Sequence, residues 1–186
     1  RPQSALNIHF QIPQKERFET APSKEMLNFV NDIYLQRGLA LIQKIPTPIT
    51  PIEIDKRNRH ITLAYFDKKS TVDYIGVVQG IPVCFDAKEC AYDRFSLANI
   101  HEHQIDFMKS FEEQKGISFL IIYFTQRDEI YYISYRQLRR YWDRMLLGGR
   151  KSFTYEEVDK EFRILRNKEV YIHYLEQLQK DLSGRE

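Results

Sequence analysis

"STVDYIGVVQGIPVCFDAKE", residues 70 to 89, is the stretch whose reading decides the fold. Two β-prone runs flank Gln79 and Gly80, a two-residue loop of the hairpin kind. Centred there, an antiparallel ladder pairs Val78 with Ile81, Ile75 with Cys84 and Asp73 with Asp86. Side chains alternate along a strand, so Asp86 and Lys88 point one way while Phe85 and Ala87 point the other. One face therefore gathers Asp73, Asp86 and Lys88. Like charges directly opposite destabilise a ladder by roughly 0.2–1 kcal/mol, so the arrangement asks for a compensating cation, which a divalent metal would supply. An odd-length loop or a bulge would instead put the two acids on opposite faces. An exposed hairpin with ordinary surface charges is the competing reading.

A carboxylate followed about a dozen residues later by carboxylate-X-lysine at a strand end is one way to build a phosphodiesterase. Hard oxygen ligands suit Mg²⁺ or Mn²⁺, which bridge to phosphate oxygens. Asp73 and Asp86 supply the charge, and the Ala87 carbonyl is a candidate third ligand. The ammonium of Lys88 can position a water or offset charge in the transition state.

Outward from the hairpin, "SKEMLNFVNDIYLQRG" places Met26, Leu27, Val30, Ile33 and Tyr34 on one side of a helix with Ser23 as N-cap and Gly38 as stop. "LALIQKI" follows as a strand. "PTPITPIEI" then brings three prolines, which suit an edge or projecting segment better than a central strand. Residues from about 48 to 70 read as a basic, hairpin-like protrusion, and residues 1 to 21 as a flexible polar arm. Downstream, "SLANIHEHQIDFMKSFEEQKG" reads as a helix with Ser96 as N-cap, Gly116 as terminator, and Gln104 interrupting its apolar stripe. His101 and His103, two residues apart on a helix, should point away from each other. "ISFLIIYF" reads as a strand covered on both faces, paired with "IYYISY". "YRQLRRYWDRMLL", "TYEEVDKEFRIL" and "EVYIHYLEQLQKDL" complete the chain as helices. The expected class is α/β, a mixed central sheet flanked by helices, in a single domain over residues 1 to 186.

The 186 residues, 42% hydrophobic and 13% aromatic, can bury a proper core and exclude a disordered chain. No run approaches the ~20 apolar residues of a membrane span and the start lacks a signal peptide's apolar core, so a cytoplasmic place and no membrane partner are expected. Cys84 and Cys90, six residues apart, read as reduced thiols. The net charge of +2 announces no nucleic acid by itself, but the basic residues cluster in "DKRNRH", "DKK", "RQLRR" and "GRK". Beside a metal site, four such clusters point to a polyanion such as DNA.

The Asp73 and Asp86-Ala87-Lys88 pattern resembles the PD-(D/E)XK nuclease superfamily. Within it, several segments are similar to the RecU family of Holliday junction resolvases: "YLQRGLALIQKIPTPI", "AYFDKKSTVDYIGV" with "CFDAKE", "NIHEHQIDFM" and "YWDRMLLGGRKSF". They cover most of residues 30 to 155 in family order. The resemblance implies a restriction-endonuclease-like core and a homodimer that binds four-way junction DNA, with a stalk, here residues 48 to 70, entering the junction centre. It makes Asp73 and Asp86 metal ligands, Lys88 the catalytic lysine and Gln104 a site residue, with the Ala87 carbonyl, Gln104 and Glu25 as further ligand candidates. Lys56, Arg57, Arg59, Lys68, Lys69, Arg150 and Lys151 become candidate DNA contacts. RecA and branch-migration proteins are the partners it implies.

The chain also departs from the family. Lys24 stands where the family has a glutamate entering its first helix, with Glu25 next, and Asp86 stands where it commonly has a glutamate. Symmetric paired nicking of Holliday junctions in recombination and repair, leaving 5′-phosphates, is the function implied. A branched-DNA-binding recombination accessory with weak or no nuclease activity is the alternative.

Overall fold

Helix periodicity and strand alternation divide the apolar residues between two cores on opposite faces of one sheet. The computed structural model describes Leu6 and residues 24–66, 71–165 and 172–185. The arm expected over residues 1 to 21 lies outside these except for Leu6, which is buried and donates its N–H to Gln179 Oε1 at 2.7 Å.

Helix α1, Lys24–Gln36, buries the predicted stripe of Met26, Leu27, Val30, Ile33 and Tyr34 and stops at Gly38, whose φ of 65° suits a residue without Cβ. Ser23 lies outside the described residues. After β1, Leu41–Lys44, strands β2, Ile49–Asp55, and β3, His60–Phe66, form a separate two-stranded antiparallel sheet with irregular register beside Pro51. Its residues are exposed almost throughout. The turn at its tip presents Lys56, Arg57 and Arg59, with Asp55 Oδ1 accepting from the Arg57 N–H at 2.9 Å. Lys68 and Lys69 lie outside the described residues.

The central hairpin forms as its sequence predicts. Strands β4, Tyr74–Val78, and β5, Ile81–Cys90, pair Val78 with Ile81 and Ile75 with Cys84. Gln79 and Gly80 both take positive φ, 48° and 88°, the primed turn that matches strand twist. Gly76 is required by close approach, since a Cβ there would lie 2.0 Å from the Leu41 carbonyl oxygen on β1.

Beyond it come β6, Arg94–Ser96, α2, Glu102–Glu113, β7, Ile117–Phe124, β8, Glu129–Ser134, and α3, Tyr135–Leu146. The described chain closes with β9, Ser152–Thr154, β10, Arg163–Ile164, and α4, Leu175–Ser183. The main sheet has the order β1-β4-β5-β7-β8-β10; β5 and β7 run parallel and the other neighbours antiparallel, so the expected mixed sheet is present. β7 is buried along its whole length and pairs with β8, again as expected. One core packs α1 and α4 on Phe85, Phe119 and Tyr132; the other packs α2 and α3 on Cys84, Leu120 and Ile133. In the first, Tyr74, Phe85, Phe119 and Tyr132 stack in a column across four adjacent strands, with centroid spacings of 4.7, 4.7 and 4.3 Å. Both cysteines are free thiols.

Three expectations are corrected. Residues 96 to 113 are not one helix: Ser96 caps a 3-10 turn over Leu97–Asn99, Ile100 and His101 are extended, and α2 begins afterwards with His101 as its N-cap. His101 is therefore not helical, and its ring stacks on that of His103 at 5.3 Å instead of pointing away. The helix expected over "TYEEVDKEFRIL" is two 3-10 turns, Tyr155–Glu157 and Lys160–Phe162, running into β10. There Glu157 accepts from the Thr154 N–H and Asp159 from the Glu161 N–H, each capping its own short turn, and Val158 between the turns is extended, so no continuous helix forms.

Candidate active site

Asp86 occupies an inner strand of the sheet, and the alternation that sends Phe85 into the α1 and α4 core turns Asp86 the other way, toward α2. It is fully buried. Gln104, from the first turn of α2, donates its Nε2–H to Asp86 Oδ2 at 2.9 Å while its Oε1 accepts from the His101 N–H at 3.1 Å. One amide thus caps the helix and fixes the carboxylate. The polar break in the apolar stripe is explained by this double use, which directs an N–H, not an oxygen, at the site. Lys88, two residues along β5, places Nζ 2.8 Å from the same Asp86 oxygen.

Asp73 stands one residue before β4, held by its carbonyl accepting from the Ile45 N–H at 2.8 Å. Continuing the observed register sets it opposite Asp86. Lys24, the first residue of α1, brings Nζ to 2.6 Å from Asp73 Oδ2, an ionic approach without hydrogen-bond alignment. Tyr74 anchors that end of the helix: its buried hydroxyl lies 3.2 Å from the Lys24 carbonyl oxygen and 3.0 Å from Asn28 Oδ1. Burial first, then Asp73 and Asp86, pushes the Tyr74 hydroxyl up to about 12.

The two acids divide unequally. Burial, reinforced by the neighbouring Asp73, pushes the Asp86 carboxyl up to about 6 against the opposing pull of Lys88. For Asp73 burial also opposes ionisation, but the adjoining Asp86 carboxyl, which takes the proton of the pair, and the Lys24 ammonium outweigh it and hold its pKa below the usual value. Asp86 is the member of the pair that keeps a proton longer.

These residues fit a hard divalent ion on two grounds. Asp86 Oδ1 is buried without a hydrogen-bond partner, which is costly unless something positive meets it. The donors facing it are carboxylate oxygens, the chemistry of Mg²⁺ and Mn²⁺ sites. No group of three or more His, Cys, Asp or Glu residues gathers here or elsewhere among the described residues. The β4–β5 ladder ends at Tyr74 and Phe85 while β5 continues with β7 to Cys90, so the backbone at Ala87 has no β4 neighbour. A cavity of about 280 Å³ lies alongside, walled in part by Lys24, Ala87, Lys88 and Glu89.

A family model described as "Recombination protein U" matches residues 24–180. The chain belongs to the RecU family. The Holliday junction resolvase RecU of Leuconostoc mesenteroides subsp. mesenteroides is 41% identical over 166 residues, which cover 87% of this chain and 80% of the relative. That of Staphylococcus epidermidis is 39% identical over 155 residues, covering 81% and 74%. Among solved structures, the Holliday junction resolvase Hjc of Archaeoglobus fulgidus aligns at a TM-score of 0.38 with 5% identity, over 61% of this chain and 78% of that one.

Of the site residues the RecU resemblance nominates, the structure brings together Asp73, Asp86, Lys88 and Gln104. Glu25 is exposed and makes no bond to either aspartate; the residue α1 directs at the site is Lys24. That contact is not among the sequence expectations, although the signal was there. Lys24 precedes Leu27 by three and Asn28 by four residues, so it shares their inner face, whereas Glu25 is turned about 100° away. Arg150 is exposed with its guanidinium 3.6 Å from Glu157, and Lys151 is exposed beside it.

Proposed function

We propose that this RecU family chain is a divalent-metal-dependent endonuclease that resolves Holliday junctions. The observation that carries the reading is a buried Asp86 with a partnerless oxygen, set opposite Asp73 and flanked on its own strand by Lys88. Asp73 and Asp86 would hold Mg²⁺ or Mn²⁺, with the Ala87 carbonyl as third ligand. When bound, the ion supplies Lewis-acid polarisation of a phosphate oxygen and activation of water. Gln104 keeps Asp86 in one orientation, and Lys88 sets a positive charge beside the reacting phosphodiester. Lys56, Arg57 and Arg59 on the β2–β3 hairpin, with Arg150 and Lys151, would contact phosphates, which position the junction without reading its sequence.

The same reading includes a nuclease domain with the β2–β3 hairpin as projecting stalk. It also includes a homodimer whose two-fold axis matches the junction's pseudo-symmetry, so that each subunit cuts one strand. A cytoplasmic place and contacts with a recombinase and branch-migration proteins belong to it too. No described helix is long and apolar enough to cross a membrane.

The test is a labelled synthetic four-way junction beside matching linear duplex, each with EDTA, Mg²⁺ or Mn²⁺, using wild type and Asp86→Asn. Paired nicks in the junction alone, dependent on metal and on Asp86, are expected. One observation, the Lys24 ammonium on Asp73, favours the second reading of a branched-DNA-binding accessory with little nuclease activity. Tight, salt-dependent junction binding without cleavage in either metal would establish that reading and overturn the first.

A further inference from the structure

We infer that Lys24 is a built-in counter-ion which competes with a divalent cation for Asp73, so that this lysine lowers the affinity of the centre for metal. The inference rests on the metal-centre reading above. Each carboxylate already has its own ammonium: Lys24 Nζ is 2.6 Å from Asp73 Oδ2, and Lys88 Nζ is 2.8 Å from Asp86 Oδ2. With both acids ionised, the four groups sum to zero formal charge before any ion arrives. An inner-sphere Mg²⁺ sits about 2.0–2.1 Å from its oxygens. An ion on either Asp73 oxygen would stand within a few ångströms of the Lys24 ammonium, whose like charge opposes it.

The contact is held by the fold. The Tyr74 hydroxyl ties the Lys24 carbonyl to the strand that begins one residue after Asp73, and Met26 and Leu27 anchor the same turn in the core. The two lysines differ in how readily they yield. The Lys24 side chain is 49% exposed and the Lys88 side chain 23%, so Lys24 can swing into solvent on its flexible stem while Lys88 remains. A lysine that stayed would repel the incoming ion across a few ångströms, and one that left would forfeit its ion pair. Either way the metal binds more weakly than two carboxylates alone would allow.

The test is titration of the protein with Mn²⁺, following the signal of free Mn²⁺ by electron paramagnetic resonance, for wild type, Lys24→Gln, Lys24→Met, Lys24→Arg and Asp86→Asn. Lys24→Gln and Lys24→Met, the latter keeping an unbranched apolar stem, are expected to tighten Mn²⁺ binding about two- to fivefold, the scale of a partly exposed ion pair. Lys24→Arg, which keeps the charge, should stay within about twofold of wild type. Equal or weaker binding by both neutral variants, with Asp86→Asn binding no ion, overturns the role of Lys24 alone. Identical titrations of wild type and Asp86→Asn overturn the metal centre itself, and the inference with it.

Discussion

Asp86→Asn should abolish cleavage and at the same time make the metal-free protein more stable. Lys88 Nζ and Gln104 Nε2 both contact Asp86 Oδ2, while Oδ1 is buried without a hydrogen-bond partner and Asp73 is the residue across the continued ladder. An amide whose oxygen takes the place of Oδ2 keeps both contacts, and its NH₂ then stands where Oδ1 was and can donate to Asp73. A repulsive carboxylate pair becomes a hydrogen bond. The magnitude follows from linkage. Asp86 is raised from 3.8 to about 6, so its contribution to stability is fully present below pH 3.8 and is lost as pH climbs through about 6. A shift of about 2 units corresponds to a ceiling of about 3 kcal/mol. Coupling to Asp73, which moves the opposite way, reduces the expected gain for the variant at pH 8 to about 1–3 kcal/mol, or roughly 3–10 °C in Tm for a chain of this size. Thermal melts by circular dichroism in EDTA at pH 4, 6 and 8 would show the two proteins diverging as pH rises. A variant less stable than wild type at pH 8 would refute the reasoning, because the Lys88–Asp86 attraction would then outweigh the burial of the charge.

Gln104→Ala removes the α2 cap and a donor to a buried carboxylate together, and should lower stability by about 2–4 kcal/mol in urea melts; a loss under about 0.5 kcal/mol would deny the amide its double role. Glu157 is held down to about 2, chiefly by Arg144, so its contribution is present above the ordinary 4.5 and lost as pH falls through about 2. Wild type should therefore lose about 1–2 kcal/mol between pH 5 and pH 2 that Glu157→Gln does not lose, after discounting for a solvent-facing pair. Arg150→Ala with Lys151→Ala should weaken junction binding and reduce the slope of log affinity against log salt by about 2. An unchanged slope would remove both residues from the DNA interface.

The reach of the sequence ends where contacts cease to be local. The β4–β5 register is legible because a two-residue Gln-Gly loop admits one pairing, and the strand period of two then fixes which face receives Asp73, Asp86 and Lys88. α1 is legible through its apolar spacing, and β7 through its near-continuous β-branched and aromatic run, all eight residues of which the fold buries. The failures share one cause. At His101, and again at Thr154 and Asp159, a side chain captures a backbone donor or a residue turns extended, and a helical pattern is divided into shorter pieces. Lys24 illustrates a different limit. Its face of the helix follows from spacing, but that this face looks onto Asp73 depends on how α1 packs on β4, which no local pattern contains.

The placement of Asp86 joins fold to chemistry. On β5 the strand period delivers Phe85 to a column of four stacked rings and Asp86, the next residue, to a buried position where its charge is disfavoured. Each ring pair in that column contributes about 0.5–1.5 kcal/mol beyond its buried area, so three of them are of the same size as the penalty on the carboxylate. One strand thus carries an unfavourable charge on one face because the other face is packed well enough to hold the strand in place. A carboxylate kept costly in this way, with one oxygen lacking a donor, discriminates strongly between states: whatever cation reaches Oδ1 recovers free energy that solvent does not supply. The same logic assigns different weights to the two lysines. Lys88 lies on the strand with Asp86 and belongs to the fixed geometry, whereas Lys24 reaches over from a helix end and is the part of the charge balance that can change.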